Sequence, residues 1–271
     1  MSVAIVPDPS RVIRFAPSRT DSCAPSAADR KVQCSSCHLR ELCLPCGLEG
    51  SDIARLDSMA FRRHRVKAGH VLYRDGDRFD FIYAVRSGTF KTSLDLSDGR
   101  EQVSGFYLGG ELLGLDGVAH GKHASSATAL EDAEVCAIPY AHLSELSAAN
   151  AGMQHIVSRL MSREIVREHS LMLLLGSMNA EERLAAFLIN LSQRLKARGY
   201  SPTEFHLRMS RAEMGSYLGM KLETVSRTFS AFQQQGVGLV PKSAFLNAKA
   251  LFRYVTNSSV NLNSLESFTF S

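Results

Sequence analysis

The strongest constraint on this chain is its punctuation between residues 66 and 139. Short apolar or alternating runs follow one another there: HVLYRD, DFIYAVRSG, TFKTSLDL, QVSGFYLGG, SSATAL and AEVCAIP. Gly69, Asp75-Gly76, Ser87-Gly88, Asp98-Gly99 and Gly109-Gly110 separate them. Short strands at regular spacing with glycine turns predict an antiparallel sandwich or roll.

After residue 140 the period becomes helical. Val157, Met161, Ile165, Glu168 and Met172 follow at steps of four, four, three and four, on one narrow face of a long helix. Packing on the chain's own β domain accounts for such a face. A two-stranded contact with a second copy accounts for it as well, and the narrow seam favours this dimer. Glu168 interrupts the seam. Opposite its symmetry mate it would weaken the dimer.

Residues 179–200 predict another amphipathic helix. Asn179 is its N-cap, Glu181 and Glu182 lie in the first turn, and Lys196 and Arg198 precede Gly199, as the helix dipole favours.

Residues 210–235 read SRAEMGSYLGMKLETVSRTFSAFQQQ. Ser210 and Glu213 form a capping box that opens a helix ending at Leu218. Gly219 permits the tight turn, and a second helix runs from Lys221 or Leu222 through Val225, Phe229 and Phe232. This is a helix-turn-helix. Glu223, Ser226 and Arg227 project together near the start of the second helix. A carboxylate can accept from cytosine N4, an arginine can fork onto guanine O6 and N7, and a serine can bond to base or phosphate. A solvated face with an i,i+4 Glu–Arg pair is the plainer account of the same triplet. The local charge favours DNA. Residues 180–271 carry 11 Lys+Arg against 6 Asp+Glu, whereas residues 1–179 carry 20 against 21.

The stretch CSSCHLRELCLPC, from Cys34 to Cys46, holds four of six cysteines. The N-terminal residues lack the apolar run of a signal peptide, and LMLLL at 171–175 is too short to span a membrane, so a soluble cytoplasmic protein is expected. In a reducing compartment clustered thiols are ligands or redox centres more often than structural disulfides. Thiolates suit iron–sulfur clusters and zinc alike. Cys34-x2-Cys37 and Cys43-x2-Cys46 read as two CxxC pairs, although zinc knuckles are usually further apart. Cys136 shares a strand face with Glu134 and Ile138 and taken alone reads as a core residue. Walker, G-x-S-x-G and H-E-x-x-H patterns are absent from the chain, so nothing proposes an enzyme.

The order of parts resembles the CRP/FNR family of bacterial transcription regulators, and its FNR branch in particular. The segments that carry the resemblance are CSSC-HLREL-C (34–43), GELLGLDG (110–117), VCAIP (135–139), NAEERLAAFLINLS (179–192) and ETVSR (223–227). It implies an α+β fold: an N-terminal antiparallel β-roll of the cyclic-nucleotide-binding type, a long dimerisation helix, and a C-terminal winged helix-turn-helix domain. The domain limits expected are a leader at 1–33, a cluster-binding segment at 34–46, the roll at 47–140, the dimerisation helix at 141–176, the DNA-binding domain at 179–254 and a polar tail at 255–271.

The resemblance also implies a [4Fe–4S] cluster on Cys34, Cys37, Cys43 and Cys136, which supports dimerisation until oxygen degrades it. The implied partners are a second copy, a palindrome of the TTGAT-N4-ATCAA kind read by Glu223, Ser226 and Arg227, and RNA polymerase. Cys23 and Cys46 receive no role. The alternatives are the same fold with a structural zinc or with a small-molecule effector. Cyclic-nucleotide-binding members carry an Arg followed by Ser or Thr, where this chain has Ala124 and Ser125. Residues 241–271 depart from the family's closing hairpin, which puts the wing in question.

Overall fold

The computed structural model describes residues 33–59, 61–96, 99–236 and 244–245. Successive turns carry the chain through the cysteines into α1 (Gly50–Ser58), whose Leu56 is fully buried. The roll comprises β1 (Arg62–Val66), β2 (Val71–Tyr73), β3 (Phe81–Ser87), β4 (Phe90–Asp95), β5 (Glu101–Tyr107), β6 (Leu112–Leu113), β7 (Ser126–Ala129) and β8 (Ala133–Pro139). A 3-10 turn at Leu115–Gly117 follows β6.

All strand pairs in the roll are antiparallel, and the pairing is nested. β4 pairs with β5, β3 with β6, β2 with β7 and β1 with β8. A long hairpin has thus been wound into two four-stranded sheets, in the orders β1-β8-β3-β6 and β2-β7-β4-β5. Val66, Val85, Phe90, Leu113, Ala127 and Val135 fill the space between them. Alternation decides the faces. On β8, Val135 and Ala137 are buried inward, and Cys136 and Ile138 face a second apolar cluster with Leu44, Leu56, Met153 and Ile156.

Each predicted strand run forms a strand. β1 and β6 were not foreseen. β1 reads RRHRV, without alternation, and exists because β8 pairs with it from Arg62↔Ala137 to Val66↔Ala133. Charged residues suit a sheet edge.

The helical region is two helices, not one. α2 (Tyr140–Ala149) and α3 (Ala151–Ser177) meet at Asn150, whose backbone is extended (φ −143°, ψ 117°). Its side chain accepts from the Met153 amide at 2.9 Å, so a cap ends one helix and starts the next. At 27 residues, α3 is about 40 Å long.

α4 (Ala180–Ala197) opens on a complete capping box between Asn179 and Glu182. β9 (Glu204–Phe205), α5 (Arg211–Leu218) and α6 (Leu222–Gln234) follow. β10 (Ala244–Phe245) pairs antiparallel with β9. The remainder of the doubtful wing and tail, like Cys23, lies outside the described residues. One apolar cluster joins Val103, Phe106 and Leu108 of the roll to Phe187, Leu188, Met214 and Phe232 of the last three helices. Among the described residues no helix is long and apolar enough to cross a membrane.

Candidate functional site

The cysteine segment is a run of tight turns against the outer face of β8. Cys37 N donates to Cys34 O at 3.2 Å, Cys43 N to Leu39 O at 2.9 Å, and Cys46 N to Cys43 O at 3.0 Å. Asp57 of α1 fixes the start, accepting from the backbone amides of Cys34 and Ser35. Cys34, Cys43 and Cys136 are half-buried on the same apolar cluster. Cys136 sits in mid-sheet, in register with Arg63 on one side and Ala84 on the other.

The thiols influence one another. Burial, then the neighbouring Cys43, Asp57, Cys136 and Cys37, push the Cys34 thiol well above its ordinary range. Burial pushes Cys43 up to about 12, outweighing a backbone hydrogen bond from Leu44. Burial also raises Cys136, against the pull of Arg86 and Arg63. Arg86 Nη1 lies 3.9 Å from Cys37 Sγ, and its Nε is 3.5 Å from Glu134. The described side chains form no group of three His, Cys, Asp or Glu close enough to hold one metal ion. Single-ion zinc needs four donors within roughly 2.3 Å of one point. Thiolates suit iron–sulfur clusters as well as zinc, and Arg86 and Arg63, which favour the charged form of Cys136, would offset the net negative charge of such a cluster. The sequence reading did not foresee Arg63 and Arg86, because each lies on a strand remote from the cysteines.

The helix-turn-helix forms as its sequence dictates. The Ser210–Glu213 capping box is complete, and Gly219 takes φ 63° at the turn. Gly215 admits no side chain, since a Cβ there would lie 2.6 Å from the Met220 carbonyl. Val225, Thr228, Phe229 and Phe232 are the buried face of α6. Glu223 and Arg227 are exposed on the opposite face, with Ser226 half-buried beside them. Arg211 completes this surface and was not foreseen. Its Nη1 donates to Ser226 Oγ at 3.3 Å, and its guanidinium lies 5.4 Å from the Phe229 ring.

On α3 the seam residues divide. Val157 and Met161 are half-buried, Val157 against the roll, whereas Ile165, Glu168 and Met172 face outward. Ile165 is 55% exposed and Met172 68%, and their chain neighbours Val166 and Leu173 are exposed as well. Arg167 Nη2 is 3.5 Å from Glu168 and also pairs with Glu164.

The corner where a cyclic nucleotide's phosphate would need a cation holds a carboxylate. Asp116 accepts from the Ala124 amide at 2.9 Å and from Ser125 Oγ at 2.8 Å, with His123 Nδ1 at 3.3 Å. His123 stacks on Tyr73 with ring centroids 3.8 Å apart.

Comparison with known proteins agrees with this architecture. A family model described as a cyclic nucleotide-binding domain matches residues 63–150, and one described as a Crp-like helix-turn-helix domain matches residues 182–251. The chain is 50% identical over 206 residues to the transcriptional regulatory protein btr of Bordetella pertussis, covering 76% of this chain and 85% of that protein. It is 48% identical over 208 residues to the transcriptional activator protein Anr of Pseudomonas protegens, with 76% and 85% covered. It is 42% identical over 206 residues to the fumarate and nitrate reduction regulatory protein of Escherichia coli, with 76% and 82% covered. The solved structure of FixK2 from Bradyrhizobium japonicum is similar at TM-score 0.66 and 28% identity, over 72% of this chain and 97% of that one. A β-roll, a long helix and a helix-turn-helix, with relatives of this identity and coverage, place the chain in the CRP/FNR family of DNA-binding transcription regulators.

Proposed function

We infer that this chain is an oxygen-responsive regulator of anaerobic gene expression, active as a homodimer in the cytoplasm. The observation that carries the reading is the gathering of Cys34, Cys37, Cys43 and Cys136 beside Arg63 and Arg86. Relatives named for anaerobic regulation and for fumarate and nitrate reduction support it. When bound, a [4Fe–4S] cluster on these four thiolates supplies an oxygen-labile centre that ties residues 34–46 to β8. The chain's own residues do the rest. α3 offers Val157, Met161, Ile165, Glu168 and Met172 to a second copy, and the exposed stripe from Ile165 to Leu173 is the apolar surface such a contact covers.

Dimerisation sets two α6 helices against one operator, since half-sites about one helical turn apart mirror the protein's two-fold axis. Glu223, Ser226 and Arg227 then read base edges in a palindrome of the TTGAT-N4-ATCAA kind, and the bound dimer meets RNA polymerase. On this reading the working divisions are the cluster-binding segment 34–46, the sensor roll 47–140, the dimerisation helix 141–176 and the DNA-binding domain 179–254.

The test is anaerobic purification with iron, sulfide and zinc analysis, followed by the absorbance spectrum as air is admitted. The expected result is about four irons and four sulfides per chain, bleaching in air. One zinc per chain and no chromophore would make the cysteines structural and leave a regulator with a different signal.

A further inference from the structure

α3 is fastened to the cysteine region at two points. At its start the capping Asn150 donates from Nδ2 to Asp52 Oδ1 at 2.8 Å, and Asp52 lies on α1, directly after the cysteines. About two and a half turns further along, the Arg159 guanidinium donates to the backbone carbonyl of Cys46. The same guanidinium covers Gly47, where an added Cβ would lie 2.8 Å from Arg159 Nη1. Gly47 has φ 80°, so the turn leaving the last cysteine is shaped to receive the arginine. Among the described residues Arg159 Nε is buried without a partner, and the bond from Nη2 to Cys46 is the polar tie seen on this side chain.

α1 closes the circuit at the other end of the segment, because its Asp57 accepts from the Cys34 amide. Both ends of Cys34–Cys46 are therefore linked to α3 through named polar contacts. Met153 and Ile156, fully buried, hold the first turns of α3 on the roll. Ile165, where the exposed stripe begins, lies less than two turns beyond Arg159. A helix is stiff over that distance, so a displaced Cys46 carbonyl moves the seam.

We propose that Arg159 is the positioning residue through which the conformation of Cys34–Cys46 sets the attitude of α3, and with it the strength of the dimer. This rests on the reading of the cysteines as an oxygen-labile cluster site. The experiment compares the full chain with Arg159→Met and Arg159→Lys, measuring iron and sulfide anaerobically and the dimer dissociation constant by sedimentation with and without air. The wild type is analysed first, and a wild type without iron and sulfide refutes the cluster reading and this coupling with it. Given a loaded wild type, Arg159→Met is expected to bind as much iron and sulfide, while its anaerobic dimer weakens at least tenfold towards the value in air. Arg159→Lys is expected to recover part of that difference. Unchanged metal content with unchanged dimerisation overturns the coupling. Loss of metal and dimer together also overturns it, and makes Arg159 a support of the cysteine segment alone.

Discussion

Cys136 shows how much one residue's meaning depends on its neighbours. Its place in mid-strand reads as that of a core residue, yet it is only half-buried, and it packs on the apolar cluster that Cys34 and Cys43 also touch. Cys136→Ser is expected to lose most of the iron and sulfide retained anaerobically, and full content in that variant would remove Cys136 from the ligand set. Arg227 stands exposed on α6, and among the described residues no ion pair holds its charge. Arg227→Ala should therefore leave folding intact, weaken specific operator binding by about 1–3 kcal/mol and relax the preference for one base. Titration against operator variants checks this, and equal losses on all of them would reduce Arg227 to a phosphate contact. Arg211, bonded to Ser226 and stacked near Phe229, orients that serine from the neighbouring helix.

At the scale of the element, α3 presents two faces with different work. Leu160, Arg163, Arg167, Leu171 and Leu174 line a cavity of about 190 Å³ between the roll and α4. Ile165, Glu168 and Met172 look the other way. Burial raises the Glu168 carboxyl above its ordinary value, against the pull of Arg167 and with the help of Glu164. A raised carboxyl gains its proton at a higher pH than a free one, and on the dimer reading proposed above the neutral form would not repel its symmetry mate. The dimer should therefore tighten as pH falls towards the usual carboxylate range, and Glu168→Ala should show in air the association that acid gives the wild type. Sedimentation in air checks both, and an unchanged profile in Glu168→Ala would count against charge repulsion at the seam. The break at Asn150 belongs to this scale too, because it lets α2 follow β8 while α3 takes its own direction from the cap.

In the whole molecule the DNA-binding domain is docked on the roll rather than tethered to it. Phe106 of β5, Phe187 of α4 and Tyr217 of α5 pack with ring centroids 5.2 to 5.8 Å apart. Glu111 pairs with both Arg194 and Arg198 of the α4 end. Burial pushes the Glu111 carboxyl up, but the two guanidiniums outweigh it and hold it at about 2. A carboxyl held below its ordinary value adds stability in full above the usual carboxylate range, and that stability is lost as pH falls towards about 2. Glu111→Gln should lack this acid-sensitive contribution and destabilise the chain at neutral pH. Breaking a fully buried pair costs roughly 3–5 kcal/mol, and the cost here is smaller because a quarter of the Glu111 side chain, 25%, remains exposed. Urea unfolding at pH 7 and pH 4 checks both the size and the sign.

Much of this architecture was legible in the sequence, because strand alternation, the Asn179 cap, the Ser210–Glu213 capping box and the Gly219 turn are all written within a few neighbouring residues. Only the tertiary structure decided what distance along the chain conceals. RRHRV becomes a strand because β8 lies beside it, Arg86 reaches Cys37 across 49 residues, Glu111 meets Arg194 across 83, and Arg159 meets Cys46 across 113. Local patterns report the conformation a segment prefers. Ion pairs and edge strands exist only once the nested sheets have brought remote residues together, and no local period records them.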